Sequence, residues 1–288
     1  MSGIKILGGD DRMEIDDPEK PEFATWESYP NFAERVRRKR RYVWGIEENA
    51  FLDTVLATIR DRSGYLEQGT IFYRAQQGIN WREVEDSDGN IINEEPDGYG
   101  PERMKPLPNR ATEGRANPAG ISILYLGTTE QTAISEVRPW IGASLSVAQF
   151  KTLKRLKAID LSREHGKSSF FAVMHRFMND GEPLTTEEKE KAVWIDIDNA
   201  FSRPVTLSDD RADYVPTQIL AELFRNAGYD AIVYKSQFGE KGFNVALFDV
   251  NNANAINCAP YDVTEIEVKF QEIGNRWFLN KNTPSKAE

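Results

Sequence analysis

Cysteine and histidine are almost missing from this chain: 288 residues contain Cys258 alone and two histidines, His165 and His175. One cysteine cannot form an internal disulfide, and without Cys/His ligand spacing there is no structural zinc site to build. The reducing cytoplasm is therefore the expected compartment. Long apolar runs are missing as well. No stretch approaches the roughly 20 apolar residues a spanning helix needs, and the N-terminal MSGIKILGGDDRMEIDD has no apolar segment of the signal-peptide kind, so no membrane is expected as a partner. Positive charge is the third shortage, since 36 Lys and Arg stand against 46 Asp and Glu, for a net charge of −10. An acidic protein has no general electrostatic grip on nucleic acid, so an anionic ligand has to be met by local arginines.

What is present is enough apolar residue, 40% of the chain, for one good core with a smaller appended segment. Residues 1–30 are acidic and contain proline, and are expected to form an arm without chemistry. Over 31–65 apolar residues recur at helical spacing (Phe32, Val36, Tyr42, Val43, Ile46, then Phe51, Leu52, Val55, Leu56, Ile59), which predicts two amphipathic helices capping the main domain. The basic run from Glu34 to Arg41 is read as a solvated helix face, with a noncatalytic nucleic-acid- or partner-binding module as the alternative.

After Gly69 the pattern changes. Thr70 to Arg74, Ile121 to Leu126, Leu156 to Leu161, Ala231 to Tyr234 and Val245 to Val250 read as strands. A capping box at Thr128 to Gln131 opens a short helix that Pro139 stops, and Thr185 with Glu188 opens another. Pro216 starts a third helix that Gly228 ends. This order lacks a regular βαβ beat, so the expected class is α+β with a largely antiparallel or split sheet. Residues 66–262 form the expected main domain and 263–288 a tail. The polar stretch from Trp81 to Pro108 reads as a hairpin tip or long loop; Asp86 and Asp88 before Gly89 form a turn, because Val84 would occupy the first ligand position of a calcium loop.

Several residues have chemical potential. Arg74 ends a strand, Arg115 sits in a Gly-Arg-Ala-Asn-Pro segment before another, Tyr125 lies within that strand, and Glu136 in the helix after it. Alone, each has an ordinary explanation as a solvated charge, a core ring or a surface carboxylate. Their context carries more. GRANPAGISILYLGTTEQTAISEVRP together with YVPTQ-x-LAE, GYDAIVYKS and GFNVALF resembles the RES domain over about Gly69 to Tyr261, most densely in 114–139 and 214–249.

The resemblance implies an ADP-ribosyltransferase-like fold and an NAD-cleaving toxin of a toxin–antitoxin pair, with NAD as substrate, an antitoxin protein as partner, and phosphate, water or a protein target as acceptor. It carries over Arg74, Arg115, Tyr125, Glu136, Ser236 and Asn244, with no departure at these positions. The residue types suit such chemistry. Guanidinium groups grip diphosphate oxygens bidentately, which makes Arg74 and Arg115 the expected clamp. Tyr125 is expected to stack on the cationic nicotinamide ring, and Glu136 to stabilise positive charge on the ribose as the bond breaks. Ser236 and Asn244 are expected to orient ribose or amide groups. Nicotinamide leaves neutral, so no general acid is required and no metal is expected; His165 and His175 read as surface or packing residues.

Overall fold

The computed structural model describes residues 21–107, 110–179, 181–203, 211–237, 242–268 and 270–274. In chain order the elements are α1 (Ser28–Arg38), α2 (Ile46–Thr58), β1 (Ser63–Leu66), β2 (Ile71–Gln77), β3 (Asn80–Glu85), β4 (Ile91–Asp97) and α3 (Pro101–Met104). They continue as β5 (Leu124–Gly127), α4 (Glu130–Glu136), β6 (Ser144–Thr152), β7 (Leu156–Leu161), α5 (Ser169–Asn179) and α6 (Thr186–Ser202). The last are α7 (Val215–Asn226), β8 (Ala231–Lys235), β9 (Phe243–Leu247) and β10 (Ala253–Asp262).

Eight strands form one sheet in the order β1-β7-β8-β9-β5-β2-β6-β10, and β3 pairs with β4 in a separate hairpin. Only β7 and β8 run parallel, joined by the long crossover through α5, α6 and α7. The class is α+β with a mostly antiparallel sheet. Its middle is split: β2 pairs with β6 from Ile71 to Gln77 but meets β5 at the single pair Tyr73 and Gly127.

Period-two alternation sorts side chains onto the two faces. Ile159, Ile232 and Ala246 join Phe32, Val36, Phe51, Val55, Trp194, Leu220 and Phe224 in one core cluster. Ala158, Val233, Val245, Leu247, Phe72 and Phe150 join Met104 in the other. Thus α1 and α2 contribute to the same core as α6 and α7. Tyr42, Val43 and Ile46, expected on the buried helical face, are instead 86%, 79% and 88% exposed. The reason is local: Tyr42 and Val43 lie in the connection between the helices, and Ile46 is the first residue of α2, just after Gly45, whose N–H donates to Glu48 Oε2 at 2.8 Å.

Several turn signals act as the sequence predicts. Thr185 and Glu188 form a capping box at the start of α6, Pro216 lies in the first turn of α7, and Gly228, with φ 82°, ends it. Asp86–Gly89 turns the β3–β4 hairpin, with Asp86 Oδ1 accepting from the N–H groups of Asp88 and Asn90. The capping box expected at Thr128 is corrected. Thr129 caps α4 by accepting from Thr132 N, while the Thr128 hydroxyl is taken by Phe243 N at the start of β9. The strand expected from Ile121 starts at Leu124, because the carbonyl of Ile121 is bound by the Asn117 side chain. That expected over Val245–Val250 is β9, three residues earlier at its end. No helix of the described residues is long and apolar enough to cross a membrane.

Candidate functional site

The site lies where the sheet splits. Arg74 uses the gap: its Nη1 donates to the Tyr125 carbonyl at 3.2 Å, from β2 across to β5. Its Nε is buried without a partner, and no carboxylate of the described residues lies at ion-pair distance. Burial pushes the guanidinium pKa down to about 10, with Tyr125 opposing the shift.

Arg115 approaches from a tight turn in which Gly114 and Asn117 pair backbone to backbone. Its Nη1 donates to the carbonyl of Ala200 near the end of α6, at 2.8 Å. The turn is fixed from within. Asn117, 2% exposed, donates through Nδ2 to the carbonyls of Thr112, Pro118 and Ile121 and accepts the Tyr125 hydroxyl at 2.7 Å. The Tyr125 oxygen in turn accepts from Ala116 N at 2.9 Å. Gln218 of α7 donates to the carbonyls of Gly114 and Asn117, both at 3.0 Å. Glycine is required at 114, because a Cβ there would lie 2.8 Å from the Tyr125 hydroxyl. Burial raises the Tyr125 pKa, so the phenol stays neutral.

Glu136 closes α4 and is exposed to the cavity. Asn244 Nδ2 and Ser236 Oγ both donate to its Oε1, at 2.6 and 2.8 Å. Its Oε2 has no partner among the described residues. Two glycines let the backbones come this close: a Cβ on Gly127 would meet Ala133 N at 2.8 Å, and one on Gly242 would overlap the Thr132 side chain. After the helix Arg138 adopts φ 45°, a left-handed conformation rare outside glycine, which turns the chain into Pro139.

These groups share one cavity of about 710 Å³, a size that suits a cofactor-sized molecule. Arg74, Arg115, Tyr125, Glu136 and Asn244 all line it. Ser236 does not. It is 3% exposed, and its hydroxyl donates to Glu136, whose carboxylate stands between it and the cavity. Arg138, Arg211, Tyr214 and Tyr234, which the sequence reading does not assign to the site, also line the cavity, as does Tyr73, which stands out in the sequence only as the neighbour of Arg74. Alternation offers a signal for Tyr234, two residues before Ser236, but none for Tyr73, which as the strand neighbour of Arg74 would be placed on the opposite face. The described lining holds four arginines (Arg74, Arg115, Arg138, Arg211) and two glutamates (Glu113, Glu136), a local positive excess in an acidic protein. At the rim Arg211 pairs with Glu113 at 3.0 Å.

The other candidates lie elsewhere. His165 and His175 are outside the cavity lining, and His175 stands 3.6 Å from Glu188. Among the described residues no cluster of three or more His, Cys, Asp or Glu could hold a metal. In the basic run, Arg35 pairs with Glu47 and Glu48, and Arg37 with Asp213.

Comparison with known proteins bears on the whole arrangement. The RES domain family model matches residues 95–270, which include Arg115, Tyr125, Glu136, Ser236 and Asn244, while Arg74 precedes the matched stretch. Comparison with curated proteins finds no match. Among solved structures, a chain of the M. tuberculosis MbcT–MbcA toxin–antitoxin complex is similar at 14% identity and a TM-score of 0.34, over 72% of this chain and 90% of that one. The family match spans more than half of the chain, and the protein belongs to the RES-domain family.

Proposed function

We propose that this protein is an NAD-cleaving enzyme that breaks the bond between nicotinamide and ribose and acts as the toxin of a toxin–antitoxin pair, held in check by a protein antitoxin. The observation that carries the reading is the pairing, in one cavity, of a buried arginine and a carboxylate oxygen that have, among the described residues, neither a counter-ion for the first nor a hydrogen-bond partner for the second. Arg74 and Arg115 supply the charge that a diphosphate needs, each charge-assisted bond being worth about 1.5 to 3 kcal/mol. Tyr125 presents its ring, since its hydroxyl is already engaged with Asn117 and Ala116.

In the reaction the electron pair of the C–N bond leaves on nicotinamide, which departs neutral. Positive charge develops on the ribose carbon, and Glu136, fixed through Oε1, turns Oε2 toward it. Water or phosphate then adds to that carbon and loses a proton. The reaction needs no acid to protonate the leaving group, because nicotinamide departs neutral.

The testing experiment incubates purified protein with NAD, with and without inorganic phosphate, and separates the products. Free ADP-ribose identifies hydrolysis, a phosphorylated ADP-ribose identifies phosphorolysis, and ADP-ribose attached to a protein identifies transfer. Intact NAD under all conditions overturns the reading.

A further inference from the structure

Tyr125 and Tyr234 line this cavity from the sheet, as Tyr73 does, and the hydroxyls of the two more deeply buried rings, Tyr125 and Tyr234, differ in one respect. The Tyr125 oxygen both donates and accepts within the protein, to Asn117 and from Ala116. Tyr234, on β8, is 6% exposed and lines the cavity, yet among the described residues its hydroxyl has no hydrogen-bond partner. Buried hydroxyls are nearly always partnered, by protein or by water, so a phenol opening into a cavity without a protein partner is an available donor.

Its position gives the donor a use. Tyr234 pairs with Asn244 across β8 and β9, and Asn244 pairs with Gly127 of β5, so Tyr234 and Asn244 are neighbours in one row on one face. Asn244 holds Glu136 at 2.6 Å. The Tyr234 ring is set by packing against Phe201 of α6, with centroids 6.2 Å apart. Burial, with Glu136 nearby adding to it and Arg115 opposing it, keeps the phenol protonated.

We infer that Tyr234 is a substrate-binding residue whose hydroxyl donates a hydrogen bond to an oxygen of the nicotinamide ribose, on the side of the cavity where Asn244 holds Glu136. The inference rests on the proposed NAD-cleaving function and deepens it. It divides the labour between the phenols: Tyr125 contributes a ring, Tyr234 a hydroxyl.

Tyr234→Phe removes that hydroxyl and nothing else, and no hydrogen bond among the described residues is lost. With NAD as substrate, kcat/KM is expected to fall about tenfold, the loss typical of one hydrogen bond, with the melting temperature unchanged or raised. A kcat/KM within twofold of wild type overturns the inference while leaving the proposed function standing. A fall in melting temperature of several degrees also overturns it, because the hydroxyl would then serve the fold. If the wild-type protein itself releases no nicotinamide, the proposed function fails and the inference fails with it.

Discussion

The turn that carries Arg115 and the helix end that carries Glu136 face each other across one cavity but are built differently. In the turn, every polar atom of the Asn117 side chain is satisfied inside the protein, and the Tyr125 hydroxyl closes the network. At the helix end, Ser236 and Asn244 hold one oxygen of Glu136 and leave the other open. A closed network fixes geometry, whereas a half-satisfied carboxylate keeps capacity for a developing charge. The difference implies that one end grips and the other end reacts, so substitutions at the two ends should separate in KM and kcat.

The largest effect is expected at the reacting end. Glu136→Gln keeps an acceptor for Ser236 and Asn244, so the fold and KM should persist while kcat falls about a hundredfold to ten-thousandfold. Nicotinamide release at saturating NAD measures this, and near-normal turnover would remove Glu136 from the chemistry.

Next comes the network itself. Asn117→Ala leaves three backbone carbonyls and the Tyr125 hydroxyl short of a partner, and should cost about 3 kcal/mol of stability in urea unfolding. A loss below about 1 kcal/mol would show that the turn does not depend on Asn117.

Arg115→Ala at the gripping end and Arg74→Ala on β2 should each raise KM for NAD about ten- to a hundredfold, with kcat changed less. Equal losses in kcat and no change in KM would erase the distinction between the two ends. The smallest effect is expected for Tyr125→Phe, which keeps the ring but strands Ala116 N and Asn117 Oδ1. Stability should fall by about 1 to 2 kcal/mol, read as a lowered melting temperature, and an unchanged one would break the account of the turn.

Much of this was legible in the sequence where the signal is local. The box at Thr185 and Glu188, the Pro216 start and Gly228 stop of α7, and the strand Leu156–Leu161 all follow from neighbouring residues. Arg115, Tyr125 and Glu136 fall within one short stretch, so the resemblance could name them together. What depends on pairing between distant strands was not legible. Strands β6 and β10, the last two of the eight at one edge of the sheet, do not stand out in the sequence, and the split beside Arg74 arises from the single pairing of β2 with β5. Tyr234 sits in the apolar run AIVYK and reads as core until its register with Asn244 is known. Tyr42, Val43 and Ile46 fitted a helical period that the chain interrupts at Lys39–Gly45.

The most direct test follows free nicotinamide over time when wild-type protein and Glu136→Gln are each given NAD. The account predicts steady release by the wild type and release at least about a hundredfold slower by the folded variant. Equal rates in the two proteins, or no release by either, would contradict it.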